Sequence, residues 1–352
     1  MPMTVTEYQH CYPNIYCHEL ALMFPTYSAF QDFAALMEFD SPVAKKADVM
    51  PFKRIGVNPV LRVNDFLTNF FYLRGDIQPS KNRVDIVFDE DFFEKSKFAS
   101  GGLHQDQSKI ALLTGLRLSF PQVKRVPELD IVKITKPTIS YKPMGVSKVS
   151  SSFHATELAG VWESTFSWDS VMADLKAKGI LSADNRTDPK NEIYETDNKQ
   201  IYMDSKNRLL QVNTTKSVGT TVNVGSKDLQ VGTLTVKSAN VNGAVALVSL
   251  DNIALEDSKK LILTFATDSV LKHEKYSDSR KQLLEFGKPP VLIAIGKIDV
   301  EIKTNGKNFV VYPLKMNGER MAKIPSTLEN GVLKVSIDNS KTPSLYFEIV
   351  CE

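Results

Sequence analysis

Glu7 is the residue of this chain whose type and position most clearly suggest chemistry. It stands near the end of Met3-Thr4-Val5-Thr6-Glu7-Tyr8, a short run that predicts a β-strand. In a β/α barrel, a carboxylate at the carboxyl end of a strand points into the bowl that holds the catalytic groups, where it can act as a nucleophile. The alternative is an ordinary surface glutamate, because isolated carboxylates are abundant on protein surfaces.

Cys11 and Cys17 lie close to His10 and His18, a combination that raises the question of a metal site. Zinc sites have tighter paired spacings and a second Cys/His pair, and no second pair follows here. Three cysteines in 352 residues are also too few for a disulfide framework. We therefore predict neither a metal site nor a cofactor.

The segment after the first strand has the order helix, strand, helix. Apolar residues recur at helical spacing over Glu19–Phe33, and the short apolar run Ala34–Asp40 suits a buried strand. Asn58-Pro59 is a favourable start for a second helix, which Gly75 ends. Residues 1–78 are thus predicted to be α/β, in the order typical of the closing part of a β/α barrel.

Residues 79–190 are more irregular. Val84–Phe88 predicts a strand, and Ser100-Gly101-Gly102 predicts a loop. Four prolines between Pro121 and Pro143 divide the next stretch into short extended pieces. A helix with a lysine-rich last turn is predicted within Trp162–Gly179.

From residue 191 onward the pattern is that of β-strands separated by turns rich in Asn, Gly, Asp and Ser. The predicted strands are Leu209–Val212, Thr220–Val224, Leu229–Val236, Ala244–Leu250, Leu261–Thr267, Val291–Ile302, Phe309–Tyr312, Val332–Ile337 and Leu345–Val350. Many short strands without intervening helices indicate an antiparallel β-sandwich. The predicted fold class is α/β plus all-β, with domains at residues 1–78, 79–190 and 191–352.

Composition excludes several classes of partner. A hydrophobic fraction of 42% with 24% charged residues is that of a soluble globular protein. The net charge of +2 gives no electrostatic reason to expect nucleic acid or an anionic membrane as a partner. No apolar run approaches the roughly 18 residues of a transmembrane helix. No signal peptide is visible, but one could precede Met1, so the compartment stays open.

The N-terminal pattern resembles the last two β/α units of the clan A glycoside hydrolases, which are TIM-barrel retaining enzymes. In that family a strand ending in a Ser/Thr-Glu-aromatic/Asn motif supplies the nucleophile, and Thr6-Glu7-Tyr8 matches it. A Gln-Asp-aromatic step follows the next helix, here Gln31-Asp32-Phe33, and Leu36–Asp40 matches the final strand. The tryptophan often found at that step is Phe33 in this chain.

Two later stretches extend the resemblance. Leu73–Pro79 is similar to an Arg-Gly-Asp-Val/Ile-x-Pro segment that follows the barrel in some large bacterial members, and Ser249–Thr264 resembles a strand pair of their C-terminal sandwich. The implied fold is the end of a partial TIM barrel followed by a β-sandwich. The implied nucleophile is Glu7. His10, Asn14 and Tyr16, on the loop after Glu7, are candidate contacts to a carbohydrate substrate.

The implied reaction is retaining hydrolysis of a β-linked glycoside, which needs a second carboxyl group as acid and base. In clan A that group is usually a glutamate after an asparagine, on the fourth strand. Asn191-Glu192 and Asn317-Gly318-Glu319 lie at or within the predicted sandwich, so neither supplies it. We therefore expect the chain to be inactive alone, with the missing strands supplied by upstream sequence or by another chain. The alternative is a non-catalytic sandwich protein that binds carbohydrate or protein.

Overall fold

The computed structural model describes residues 3–10, 14–39, 55–87, 105–119, 139–141, 167–278, 280 and 282–352. Several residues and segments considered above lie outside these ranges: Cys11, Asp40, Phe88, the glycines of the Ser100–Gly102 loop, the four prolines between 121 and 143, and Trp162.

The described helices are few and short. α1 spans Leu20–Phe30 and α2 spans Pro59–Thr68; α2 continues as a π-helical turn, Asn69–Leu73. Two further α-helices span Gln105–Ser108 and Trp168–Ala177. Short 3₁₀ turns occupy Cys17–Glu19, Ile55–Val57, Lys109–Leu112 and Pro189–Asn191.

Strands make up most of the regular structure. In chain order they are β1 Thr4–Tyr8, β2 Ala35–Glu38, β3 Arg83–Val87, β4 Gly115–Ser119, β5 Ile139–Tyr141, β6 Ile193–Glu195, β7 Ile201–Asp204, β8 Leu209–Asn213, β9 Ser217–Val222, β10 Lys227–Val231, β11 Leu234–Ala239, β12 Gly243–Ser249, β13 Lys260–Ala266, β14 Ser269–Lys272, β15 Lys275–Tyr276, β16 Leu283–Glu285, β17 Lys288–Ile293, β18 Lys297–Lys303, β19 Phe309–Leu314, β20 Ser326–Glu329, β21 Val332–Asp338 and β22 Tyr346–Cys351. The fold is therefore mixed, with few helices and many antiparallel strands.

The chain forms two compact units. One comprises residues 30–32 and 79–199, and the other comprises 3–29, 33–78 and 200–352. Each is described by itself below.

In the first unit, β3 is the central strand of a three-stranded parallel sheet with β4 on one side and β5 on the other. Asp197 anchors the loop before this sheet. One oxygen of its carboxylate accepts hydrogen bonds from Ser80 Oγ at 2.6 Å, Asn82 Nδ2 at 2.9 Å and Thr114 Oγ1 at 2.9 Å. The pattern of residues 79–190 did not predict parallel pairing.

The second unit begins with two β/α segments. β1 and β2 pair in parallel, with α1 between them in the chain, and α2 follows β2. The predicted start of the second helix is confirmed, because the Asn58 side chain accepts hydrogen bonds from the amides of Val60 and Leu61. Buried Asn64 of α2 ties the two helices together: it donates to Cys17 O at 2.6 Å and accepts from the Ala21 amide at 3.2 Å.

The rest of the second unit is two antiparallel sheets that share one core. The first has the order β10-β11-β18-β21-β20, and the second contains β19-β22-β13-β12-β9-β8-β7. Their facing apolar side chains include Val236, Leu247, Phe265, Val300 and Phe347, all nearly or completely buried. This arrangement is the one expected for a β-sandwich.

Two of the predicted strands are in fact pairs. The run predicted as one strand at 229–236 is the hairpin β10–β11, which turns at Gly232 with φ +54°. The run predicted at 291–302 is divided between β17, which pairs with β14, and β18, which belongs to the five-stranded sheet. Continuous apolar character could not reveal these breaks, since a tight turn needs only one or two suitable residues.

The second sheet is buried on both faces at its centre. Every residue of β9 and β12 is buried. The face away from the shared core carries small residues at its centre, among them Gly219 and Ala246, and α1 packs there. A Cβ built on Gly219 would lie 2.5 Å from Leu22 Cδ2, so a larger residue here would require the Leu22 side chain to shift.

Arg74 fastens the end of the helical segment to the same sheet. Its Nε and Nη2 donate to the two carboxylate oxygens of Asp76 at 2.8 and 2.6 Å, and its Nη1 donates to Ser249 O. The guanidinium also lies over the ring of Phe70, 4.4 Å from the centroid. The Asp76 side chain is 1% exposed, so Arg74 compensates a carboxylate that would be costly to bury alone.

Replacing Gly219 by alanine tests the contact between α1 and the sheet. We expect Gly219→Ala to lower the free energy of unfolding by about 1–3 kcal/mol, because the new methyl group overlaps Leu22. Leu22→Ala removes the overlapping group, so the double variant should be less destabilised than the sum of the two single variants. Urea unfolding of the four proteins measures this coupling. Additivity within about 0.5 kcal/mol would contradict the contact.

Removing Arg74 tests whether it compensates the buried carboxylate of Asp76. Arg74→Ala should cost about 3–5 kcal/mol of stability, because Asp76 then stays buried without its partner. Arg74→Lys keeps the positive charge but loses the paired Nε and Nη2 donors, and it should cost less stability than Arg74→Ala. Lys315→Ala, which removes an exposed pair with Glu319, is the matched control and should cost about 1 kcal/mol or less. An Arg74→Ala protein as stable as this control would show that Arg74 does not compensate the buried Asp76 carboxylate.

Candidate functional site

Glu7 and Tyr8, the last two residues of β1, differ in their exposure to solvent. Tyr8 is buried, and its ring stacks on Phe24 of α1 with a centroid distance of 4.9 Å. The register of the β1–β2 pair shifts between Val5 and Tyr8, which interrupts the regular alternation of side chains at this point. Glu7 is exposed to solvent.

Glu38 is a second carboxyl group near the end of the neighbouring strand, but it lies on the face of Tyr8. The two residues are register partners in the parallel pair. Gln9 Nε2 donates to Glu38 Oε1 at 2.9 Å. Burial raises the pKa of Glu38 to about 7, the hydrogen bond from Gln9 opposes this, and the charge of Asp65 on α2 adds to it. Glu38 therefore belongs to the side of the sheet that the helices cover.

The structure brings His10, Asn14 and Tyr16 into one loop. His10 Nδ1 lies 3.2 Å from Tyr16 O, and Asn14 Oδ1 accepts a hydrogen bond from the Tyr16 amide at 2.8 Å. Burial lowers the pKa of His10, and its hydrogen bond to the Tyr16 backbone opposes the shift. Asn14 thus shapes the turn, and Tyr16 presents its ring at the mouth of a pocket.

This pocket, called the Arg280 pocket below, has a volume of about 250 Å³. It lies at the end of β9 and the start of β12, and the segment that leads into α1 covers it. Its lining residues are Ile15, Tyr16, His18, Glu19, Arg208, Thr221, Val222, Asn223, Asn242, Asp268 and Arg280. Of the residues singled out from the sequence as candidate substrate contacts, Tyr16 lines it.

The charged groups of the pocket come from distant parts of the chain. Arg280, in the loop between β15 and β16, forms an ion pair with Asp268. Arg208, in the turn before β8, places its guanidinium carbon 5.9 Å from the centroid of the Tyr16 ring. Sequence reasoning missed Arg208, Asp268 and Arg280, because no local motif connects residues that are so distant in the chain.

His18 and Glu19, which both line the pocket, have altered proton affinity. His18 is 5% exposed, and burial lowers its pKa to about 4, with a smaller contribution from His10. Burial raises the pKa of Glu19 to about 7. At neutral pH His18 is therefore uncharged, and Glu19 is close to half-protonated.

Within the described part of the chain, no group of three or more His, Cys, Asp or Glu side chains is arranged to hold a metal ion. Nor does any helix among the described residues have the length and apolar character to cross a membrane. Comparison of the chain with protein-family models, with curated proteins and with solved structures found no significant match.

Glu38→Gln tests the buried carboxyl group through the pH dependence of stability. The pKa of Glu38 is raised to about 7 in the folded protein, from an ordinary value of 4.5. Its contribution to stability is therefore complete below pH 4.5 and is lost as the pH rises to 7. Glutamine cannot ionise, so the variant should gain stability relative to the parent protein between pH 5 and pH 8.

Urea unfolding at pH 5 and pH 8 measures this difference. The titration of His18 and Glu19 is common to both proteins and cancels in the comparison. Glu7→Gln, a change of an exposed carboxylate on the neighbouring strand, is the matched control. Equal pH dependence for the Glu38→Gln variant and the parent protein would mean that Glu38 is not buried as described.

Proposed function

We propose that the chain is the C-terminal portion of a retaining clan A glycoside hydrolase, with Glu7 as the nucleophile. In this proposal β1–α1 and β2–α2 are the last two β/α units of the TIM barrel, and the antiparallel sheets are its C-terminal β-sandwich. The complete enzyme would hydrolyse a β-linked glycoside.

The position of an exposed carboxylate, Glu7, near the carboxyl end of β1 is the observation that supports the proposal. In a TIM barrel the helices lie outside, and catalytic side chains at the carboxyl ends of the strands face the bowl. Tyr8 packs on Phe24 of α1, whereas Glu7, the residue before it, is exposed to solvent. The strand that carries Glu7 pairs in parallel with the strand that follows α1, as consecutive strands of such a barrel do.

The chemistry requires one bond to form and one to break at the anomeric carbon. A carboxylate oxygen of Glu7 attacks that carbon, the bond to the glycosidic oxygen breaks, and a second carboxyl group protonates the departing oxygen. Water activated by the second group then releases the sugar and restores the Glu7 carboxylate. The general acid is typically worth 10²–10⁴-fold in rate.

Glu38 does not meet the requirements for that acid, although its pKa suits the role. In a retaining enzyme the two carboxyl groups are about 5–5.5 Å apart on the two sides of the scissile bond. Glu38 is largely buried beside Asp65 of α2, whereas Glu7 is exposed to solvent. We therefore assign the acid to a barrel strand outside these 352 residues, in the same polypeptide or in a partner chain.

The geometry of the β1–β2 pair is consistent with added strands. In the described residues these two strands form a sheet of their own. The face opposite the helices exposes Met37 at 54% and Phe39 at 41%. Further strands would cover both the open edges and these apolar side chains.

A non-catalytic carbohydrate-binding protein is the second candidate. The Arg280 pocket favours it, because this pocket is formed by residues of the second unit alone and needs no additional strands. Binding without turnover would then be the function of the chain.

Covalent trapping tests Glu7 without the missing acid. A 2-deoxy-2-fluoro glycoside with a dinitrophenolate leaving group needs no protonation, because dinitrophenolate is a stable anion. The chain, completed with the barrel strands encoded upstream or by a neighbouring gene, is incubated with a panel of such sugars. We expect mass spectrometry to find one fluoroglycosyl group on the peptide that contains Glu7, and none in the Glu7→Gln variant.

Glu38→Gln is the matched control and should be labelled like the parent protein. Labelling of another carboxylate would disprove the assignment of Glu7. Absence of labelling in the completed barrel, with the whole panel, would favour the non-catalytic candidate.

A further inference from the structure

The Arg280 pocket contains one acidic and one basic side chain whose charges the described residues leave unpaired. Asp268 and Arg280 form an ion pair with each other, so their charges are balanced. His18 is uncharged at neutral pH, because burial lowers its pKa to about 4. Glu19 and Arg208 are the other charged residues of the lining, and neither forms an ion pair within the described part of the chain.

The carboxyl group of Glu19 is half-buried but still open to contact. Its two oxygens accept no hydrogen bond from a described residue, yet neither is enclosed by protein. Burial raises the pKa of Glu19 to about 7, and no neighbouring charge or hydrogen bond opposes this shift. A positively charged group of a ligand would oppose it, since an opposite charge favours the ionised carboxylate.

Arg208 is held beside the pocket through its backbone. Its carbonyl oxygen accepts hydrogen bonds from Thr221 Oγ1 at 2.9 Å and from Asn223 Nδ2 at 3.5 Å. The side chain is exposed and donates to no described residue, so its nitrogen atoms are open to a ligand. A guanidinium presents a planar set of donors that matches the geometry of a carboxylate.

Tyr16 lies next to both of these charged residues. The Glu19 amide donates to Tyr16 O at 3.1 Å, and the guanidinium carbon of Arg208 lies 5.9 Å from the centroid of the Tyr16 ring. Glu19 and Arg208 line the same cavity of about 250 Å³, but their charged groups form no ion pair with each other. A small molecule with one positive and one negative group can therefore bridge them.

Two side-chain amides add polar contacts to the lining. Asn242 Oδ1 accepts a hydrogen bond from the Val224 amide at 3.0 Å, and Asn223 follows β9 directly. Side-chain amides both donate and accept hydrogen bonds, so they suit a polar ligand. The volume of about 250 Å³ is below the roughly 300–1,000 Å³ of sites for drug-sized ligands, so it suits a smaller molecule.

We propose that the Arg280 pocket binds a free α-amino acid with a small polar side chain, with its ammonium group on the Glu19 carboxylate and its carboxylate on the Arg208 guanidinium. The four charged side chains of the lining sum to zero when all are ionised, and an α-amino acid is likewise neutral overall. The pocket is a binding site, and no bond is made or broken in it. The inference is independent of Glu7 and of glycoside hydrolysis.

Calorimetric titration of the full 352-residue chain at constant ionic strength tests the proposal. The measurement is made at pH 8, where Glu19 is mostly ionised because its pKa is about 7. The probes are glycine, L-serine, L-threonine, L-asparagine, L-glutamine and glucose. For the amino acid that binds most tightly, two analogues follow: the decarboxylated amine, which lacks the carboxylate, and the deaminated acid, which lacks the ammonium group.

We expect the best amino acid to bind at least about tenfold more tightly than glucose and than either analogue, since each analogue loses one charge-assisted pair. Glu19→Gln and Arg208→Gln should each weaken binding of the amino acid by about 10- to 100-fold for the same reason.

Combining variants with analogues assigns each ligand group to its residue. In the Glu19→Gln variant, removing the ammonium group should no longer matter, so the amino acid and the deaminated acid should bind within about threefold of each other. In the Arg208→Gln variant, the same should hold for the amino acid and the decarboxylated amine. Glu256→Gln and Lys227→Gln, at exposed positions outside the pocket, are the matched controls and should bind like the parent chain.

Three results would overturn the proposal. The first is that none of the amino acids binds, and the second is that glucose binds as tightly as the best of them. The third is that removing either ligand group costs the same affinity in the folded variants as in the parent chain. None of these results depends on labelling of Glu7, so failure of this proposal can be distinguished from failure of the proposed function.

Discussion

Burial of one sheet on both faces is the constraint on which the second unit depends. The central strands β9 and β12 have no exposed residue, so each of their faces must pack against another part of the protein. One face meets the facing sheet through a shared apolar core. The other face needs a second cover, since buried backbone and apolar side chains are stable only when water is excluded. Helix α1, which contacts Gly219 through Leu22, provides part of that cover.

This requirement explains why the N-terminal segment and the sandwich form one compact unit. The helices that follow β1 and β2 would each need an apolar surface to pack on, and the sheet supplies it. Arg74 then connects the end of the helical segment to Ser249 O at the end of β12. The same guanidinium also pairs with buried Asp76 through two donors. A lysine has no such planar set of donors, so it could not make all of these contacts. The position of β1, and therefore of Glu7, depends on these contacts with residues more than 140 positions away.

Local structure was largely predictable from the sequence, because its signals are local. Asn58 and Pro59 mark the start of α2, and Gly75, with φ +73°, ends the helical segment. Strands such as β21 alternate between buried and exposed residues, which is the pattern of a strand with one covered face. The nearly continuous apolar pattern of β12 indicates that both faces are covered. It does not say which segment covers the second face, since any apolar helix would satisfy the pattern.

The pocket and the parallel sheet of residues 83–141 could not be predicted in this way. Parallel strands are joined by long connections, and their pairing depends on partners that are distant in the chain. The Arg280 pocket likewise combines the turn before β8, the loop after β15 and the segment before α1. Arg280 taken alone is an ordinary arginine in a polar loop. Only its position beside Asp268, with a buried donor edge, distinguishes it from the other arginines.

The two carboxyl groups of the β1–β2 pair illustrate why proton affinity alone does not identify a catalytic acid. Glu38 has the raised pKa that such an acid needs, but the cause is burial beneath the helices. Burial of that kind keeps the group away from solvent and from a ligand in solvent, whereas Glu7 is exposed. In the proposed glycoside hydrolase, the acid that serves Glu7 would stand about 5 Å away across the glycosidic bond. Glu38 cannot be that acid while it is buried beneath the helices, so the proposal requires a carboxyl group from a strand beyond β1 and β2.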